Sequence, residues 1–232
     1  MTIDRCKVIC HMMTSIDGKI DGDYMEAENS EYTGNYYDDS IFKLGDSMAG
    51  GRTTAYMYHA NSSIDYSKYV NCNITYDDNI VLSTNGHYYF CYDRMGKYNW
   101  NTNIFSYGGK DMQIVEVLSN DVRKEYLAYL KEKKIGYIIL NKDSYIKDSL
   151  IKMKKYFSVD TLVLTGGALI NGAFVKEDLI DEISLAVAPY IEGNHELKDI
   201  ADTSKFINNC YYFDKALPLN DGGVHLLFKK KI

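Results

Sequence analysis

With only two prolines and one tryptophan in 232 residues, the chain carries no proline-rich linker that would divide it. Its five cysteines, Cys6, Cys10, Cys72, Cys91 and Cys210, are odd in number, and no two stand at Cys-x-x-Cys spacing. That argues against a disulfide framework and a structural zinc site, and for thiols kept in a reducing compartment. The histidines show no metal-ligand spacing either, so no metal is expected. No apolar run approaches the roughly 18 residues of a membrane span. The first residues pass almost at once into a strand-like run without the shape of a signal peptide, so a cytoplasmic location is expected. Positive charge is also short, with 26 Lys and Arg against 32 Asp and Glu and a net charge of −6. A nucleic-acid binder usually shows a basic face, so none is expected here. The basic runs at 131–134 and 152–155 fall on helix faces that read as solvated.

Apolar residue is not scarce. Hydrophobic types make up 46% of the chain, enough to bury the core of one large α/β domain over 1–232. The most informative stretch is 161–193, which reads as strand, glycine turn, helix, strand. Residues 161–165 are apolar on both faces. Gly166-Gly167 then turn the chain into a helix near Ala168. A glycine pair lets backbone approach a ligand closely, and a helix start offers unpaired N–H groups with a partial positive charge. Together they suit a phosphate or diphosphate.

Along the rest of the chain, 7–13 reads as a strand, followed by a tight loop over 14–20 with Asp17-Gly18 as its turn signal. Residues 37–44 read as a helix. Residues 47–51 form a short strand running into glycines, and a second helix starts at Arg52. No periodicity marks 59–79. Strands are expected at 79–83, 88–92 and 113–118, with a turn at 93–97. A helix capped by Ser119 or Asp121 should run to about Lys133. A strand at 137–140 and a helix at 147–157 precede the glycine turn, and strands at 210–216 and 224–230 close the chain. Alternating strands and helices predict an α/β fold with a mainly parallel sheet and an antiparallel end. Ligands of such sheets sit at the carboxyl ends of strands, where the loops at Thr14, Gly50 and Gly166 lie.

Four segments carry a family resemblance. They are Ser15-Ile-Asp-Gly-Lys-Ile20, Gly51-Arg-Thr-Thr54, Asp93-Arg-Met-Gly96, and Gly166-Gly-Ala-Leu-Ile-Asn-Gly-Ala-Phe174 with the Asp181-Glu182 and Ala188-Pro189 pairs after it. Over nearly the whole chain this resembles the pyrimidine reductase of the riboflavin pathway, a family with a dihydrofolate reductase-like fold. The resemblance implies a three-layer α/β fold, NADPH as cofactor, a small heterocyclic or ribosylaminouracil-like substrate, and a homodimer. It implies Thr14 near the nicotinamide and Thr54 on the cofactor's phosphate or ribose. Arg94 would lie at the adenosine end, and Gly167, Ala168, Leu169, Ile170 and Asn171 would cradle the diphosphate with Gly166. A guanidinium such as Arg94 forks onto a 2′-phosphate. The chain departs from the family's pattern on the substrate side. It has no Asp-Asp-Pro run and arginine after Gly51, Thr165 stands where many members carry glutamate, and no deaminase signature is present. A pterin reductase on the same fold, or a nucleotide-binding protein without catalysis, are the rival readings.

Several side chains have two readings. Asp17 is the first-loop candidate for relaying a proton, or it builds the Asp-Gly turn. Thr165 orients a water, or is a strand-end hydroxyl. Ser30 and Tyr32 line a substrate pocket or belong to a surface loop, and Tyr58 with His59 contacts substrate or does not. Arg52 meets a phosphate or pairs with a nearby acid. The Asp181-Glu182 pair is expected to cap or join elements rather than work as acid and base.

Overall fold

A computed structural model describes residues 4–58 and 63–231. The chain clusters into two compact units, one built from 4–6 and 46–160, the other from 7–45 and 161–231.

In the second unit, β1 (Lys7–Thr14) is buried at every position after Lys7. That continuous burial is the mark of a parallel strand covered on both faces, and explains why the run Val8-Ile-Cys-His-Met-Met13 does not alternate. β1 pairs in parallel with β7 (Thr161–Leu164) on one side and β8 (Glu182–Val187) on the other. β10 (Val224–Lys230) runs antiparallel to β8, and β9 (Tyr211–Pro218) antiparallel to β10. The helix α1 (Glu31–Leu44) packs on β1, β7 and β8. It starts six residues before the expected Tyr37. The cause is tertiary: both carboxylate oxygens of Asp221, in the β9–β10 turn, take the hydroxyl and amide protons of Thr33 at 2.7–3.0 Å. A carboxylate at a helix start satisfies an orphan donor and meets the positive end of the dipole. The glycine turn leads from β7 into α5 (Ala168–Lys176).

In the first unit, β2 (Ser47–Gly51), β3 (Tyr88–Tyr92) and β5 (Lys110–Ser119) are parallel neighbours. β4 (Ile104–Tyr107) runs antiparallel to the first half of β5, and β6 (Gly136–Leu140) parallel to its second half. The helices are α2 (Arg52–Tyr58), α3 (Lys124–Glu132) and α4 (Tyr145–Phe157). α4 buries Ile146, Leu150, Met153 and Phe157, a stripe at helical spacing. Each such side chain removed from water contributes about 2 kcal/mol.

The α/β class, the mainly parallel pairing and the antiparallel C-terminal strands agree with the sequence reading. Three local readings are corrected. Residues 79–83 make no strand; Asn79 forms a single bridge to Tyr137 through reciprocal main-chain hydrogen bonds of 2.9 Å. β4 was not foreseen, although Gly108-Gly109 between β4 and β5 both take positive φ, as a two-residue hairpin turn requires. α3 starts at Lys124 with Arg123 as its cap residue and no side-chain cap, so neither Ser119 nor Asp121 caps it.

Candidate functional site

The parallel registers place the relevant loops within each unit. In the second unit Cys10 stands opposite Leu164, and Thr14 opposite Val187. The loops after β1, β7 and β8 therefore leave from one end of this sheet. An added Cβ at Gly166 would come within 3.1–3.2 Å of the Met12 thioether, so the glycine turn lies against the end of β1. In the first unit Gly51 stands opposite Tyr92, and Tyr92 opposite Val117. This gathers Gly51, Arg52 and the first turn of α2 with Thr54 beside the Asp93–Gly96 turn.

Gly166 has φ +92 and joins Gly167 through a cis peptide bond. Gly167 caps α5 without a side chain. The amide of Asn171 is the first to close back on the turn, donating to the Gly167 carbonyl at 3.1 Å. The amides of Ala168, Leu169 and Ile170 precede that first turn bond and are the helix-start donors. Leu169 is exposed, so this helix start lies at the surface. Asn171 itself is buried. Its amide nitrogen donates to the Ile200 carbonyl at 2.8 Å, and its Oδ1 has no partner within the protein. An orphan acceptor takes a hydroxyl or amide proton, not a phosphate oxygen. The donors suited to an anion are the main-chain amides, while buried Asn171 anchors the helix start to Ile200. These donors fit the diphosphate of a dinucleotide.

The first loop is tied shut. Ser15 Oγ donates to Asp17 Oδ1 at 2.6 Å, and the amides of Glu192 and Gly193 donate to the same carboxylate at 2.9 Å. These donors, the Ser15 hydroxyl foremost, hold the carboxyl well below the usual carboxylate range. Gly18 at φ +82 closes the turn onto the Ser15 carbonyl, and Lys19 joins Asp199 at 2.7 Å. Of the two readings of Asp17, the turn-building one describes the geometry. Its carboxylate is a fastening that links the loop after β1 to the loop after β8. Thr14, buried at the end of β1, accepts from the Ala188 amide through its carbonyl at 2.8 Å.

Ser30 is buried at the start of α1 and its hydroxyl has no partner, while Tyr32 is exposed. Met13, Tyr24 and Ala188 form a small buried cluster at the end of β1, with Tyr37 and Tyr190 packed on it. Thr165 is buried at the end of β7. The backbone of Tyr58 ends α2, its side chain and all of His59 lying outside the described residues.

In the first unit, Arg52 pairs with Asp93 at 3.6 Å. Asp93 also accepts the amides of Lys97 and Tyr98 at 2.5 and 2.8 Å, and its burial raises its carboxyl above the ordinary value. Of the two readings of Arg52, this contact is that of the acid-pairing one. Arg94 differs. Its exposed guanidinium lies 5.1 Å from the centre of the Tyr145 ring. Such stacking holds a guanidinium flat while leaving its edge to solvent. Asp93 and Tyr145 were not singled out from sequence. The Asp-Arg-Met-Gly turn signalled the former through the tendency of Asp to bind amides that follow it; nothing signalled the latter.

Asp181 and Glu182 join elements, as expected. Asp181 accepts the Val8 amide at 2.7 Å, and Glu182 pairs with Lys7 at 2.7 Å. Among the described residues no His, Cys, Asp or Glu cluster suits a metal ion, and no helix is long and apolar enough to cross a membrane.

The class defined by these loops is an α/β protein whose strand-end glycine turn and helix start suit an anionic nucleotide. The chain belongs to the family of the RibD C-terminal domain, whose model matches residues 6–220. Among solved structures it is similar to a pyrimidine reductase-like protein from Corynebacterium diphtheriae, with 12% identity, TM-score 0.70, and 98% and 92% of the two chains covered. It is similar to Acinetobacter baumannii RibD with 14% identity and TM-score 0.64, covering 98% of this chain and 58% of that one. Saccharomyces cerevisiae Riboflavin Biosynthesis Reductase Rib7 matches with 13% identity and TM-score 0.58, covering 100% and 92%. These likenesses are likenesses of fold. No curated protein matches.

Proposed function

We propose that this chain is a cytoplasmic, NADPH-dependent reductase that works as a homodimer. Its substrate is a small heterocycle of the ribosylaminouracil kind. The observation that carries this reading is the helix start after Gly166-Gly167, lying against the end of β1 in a member of this family. When bound, the dinucleotide supplies the hydride; the chain's own residues bind, orient and exclude water. The amides of Ala168, Leu169 and Ile170 hold the diphosphate, with buried Asn171 anchoring the helix start to the Ile200 carbonyl. Thr14 marks the nicotinamide end, its position set by the Asp17 fastening. Within the first unit, taken by itself, Gly51 and Thr54 at the start of α2 and the Arg94 guanidinium are the candidates for a nucleotide's anionic groups, Arg94 for a 2′-phosphate. Within the second unit Ser30, Tyr32 and Thr165 are assigned to the substrate side; Tyr58, in the first unit, is a separate substrate-side candidate.

Titration of the protein with NADPH, followed by nucleotide fluorescence, tests the cofactor. Arg94→Ala should weaken NADPH about tenfold and leave NADH unchanged, since only NADPH carries the group Arg94 recognises. Equal binding of the two nucleotides by the unaltered protein removes Arg94 from the site. Consumption of NADPH with the aminouracil ribotide, dihydrofolate or pterins then tests turnover. Binding without turnover on any of them favours the non-catalytic reading.

A further inference from the structure

In the first unit Arg52 pairs with Asp93 at 3.6 Å and Arg123 with Glu125 at 3.2 Å. Exposed Arg94 has no carboxylate partner among the described residues, and its guanidinium lies over the Tyr145 ring instead. Both members of this stack are fixed from below. The Arg94 carbonyl accepts the Ser119 amide at 2.9 Å, and the Gly96 amide closes the turn on the Asp93 carbonyl at 2.9 Å. Tyr145, the first residue of α4, is buried. Its hydroxyl donates to the Val117 carbonyl, and its ring meets Tyr92 in a T-shaped contact with centroids 5.9 Å apart. Tyr92 ends β3 and stands opposite Val117 in β5. The strand ends that carry the Arg94 turn therefore also hold the ring under its guanidinium.

We infer that Tyr145 is a positioning residue that sets the preference for a nucleotide bearing a 2′-phosphate, by holding the Arg94 guanidinium edge-outward before the nucleotide arrives. The inference rests on the reading of Arg94 given above. An arginine side chain loose in water samples many rotamers, and ordering them opposes binding. A guanidinium laid on an aromatic face gives up none of its in-plane N–H donors to the ring, so its edge stays able to fork onto phosphate oxygens. A carboxylate partner would instead occupy that edge and repel an incoming anion. Arg52 and Arg123 are held in that second way. The ring acts on the flat side of the Arg94 cation, so it places the cation without competing for the ligand. The part of Tyr145 that does this is its face; its hydroxyl, turned to Val117, only fixes the ring.

The affinities of the full chain for NADPH and NADH, read by nucleotide fluorescence, test this. Tyr145→Leu should weaken NADPH about threefold and leave NADH unchanged, the loss a cation over an exposed ring predicts. Tyr145→Phe keeps the ring and should retain the preference of the unaltered protein to within about twofold. In an Arg94→Ala background Tyr145→Leu should change neither affinity, because the ring then has no guanidinium to hold. Where a melting curve shows Tyr145→Leu unfolded, Tyr145→Met, whose adaptable side chain fills the space, carries the same comparison. An unaltered protein that binds the two nucleotides equally overturns the reading of Arg94 and this inference with it. A preference for NADPH that survives loss of the ring overturns the inference alone. A loss shared equally by NADPH and NADH also overturns it, since that marks Tyr145 as structural only.

Discussion

The two units bury titratable groups in opposite ways. In the second unit, His11, Ser184, His225 and Tyr36 form one closed chain. The His11 Nε2–H donates to the Tyr37 carbonyl at 3.0 Å, because a carbonyl only accepts. His11 Nδ1 must then accept, and the Ser184 hydroxyl donates to it at 2.8 Å. Ser184 in turn accepts from His225 Nε2–H at 2.7 Å, and His225 Nδ1 accepts from the Tyr36 hydroxyl at 2.9 Å. Every proton has one place, and both imidazoles are neutral. Burial lowers His11 to about 4, and burial followed by Lys215 lowers His225. In the first unit, Glu116 is wholly buried. Its Oε1 accepts from Trp100 Nε1 at 2.5 Å and from the Tyr126 hydroxyl at 3.1 Å, while Oε2 has no partner. Burial, with the nearby Asp93 adding to it, pushes this carboxyl well above its usual value. A closed network and a half-satisfied one are thus buried in the same molecule, and they respond to pH with opposite signs.

The largest expected effect sharpens that contrast at Glu116. Glu116→Ala leaves two buried donors without an acceptor and opens a cavity, so it should cost about 3 kcal/mol in urea unfolding. Glu116→Gln keeps an acceptor and adds no charge, and should cost less than about 1 kcal/mol at neutral pH. Equal losses for the two would show that Glu116 is buried ionised and would break the comparison.

The His11 chain should contribute about as much, in a pH window. Its imidazoles have folded pKa values below the unfolded value of about 6.5. Between about 6.5 and about 4 the unfolded chain therefore binds more protons. Stability is fully present above this window and falls as pH drops through it, by about 3 kcal/mol for His11. Glu116 runs the other way: its folded pKa is raised, so its contribution is present below the unfolded value and is lost as pH rises past it. Stability measured from pH 4 to pH 7 should rise more steeply in Glu116→Gln and flatten in His11→Gln. A slope that His11→Gln leaves unchanged would mean the histidines are not the source.

Smaller effects test the second unit's loops. Gly166→Ala places a Cβ at φ +92 and against Met12, so it should cost about 1–2 kcal/mol and weaken NADPH in the fluorescence titration. Asp17→Asn keeps a turn acceptor but loses charge. It should leave the melting temperature within a few degrees and weaken NADPH only several-fold. A complete loss of turnover with unchanged NADPH binding would instead return Asp17 to the proton-relay role.

Much of this was readable from local pattern. β2 and β10 have the bounds expected and α2 starts where expected, because a glycine pair ends one, starts the next, and alternation or apolar runs mark the strands. The glycine turn at Gly166 and the Asp17–Gly18 turn are equally local, since glycine's freedom at positive φ belongs to the residue itself. The misread segments are those where context overrules pattern. Residues 79–83 look like a strand but find a single bridge, and α1 begins early because a carboxylate 188 positions from Thr33 caps it.

Most of the order of strands and helices, the sites of the glycine turns and the presence of an anion-ready helix start followed from the sequence alone, because each depends on residues within a few positions of one another. Which charges are spent and which are open was decided by tertiary structure. Asp93 claims Arg52, Tyr145 carries Arg94, the amides of Glu192 and Gly193 take Asp17, and Ser184 joins two histidines that lie 214 residues apart in a 232-residue chain. An ionisable group's role is set by the dielectric and partners around it, and those arrive only when distant segments pack.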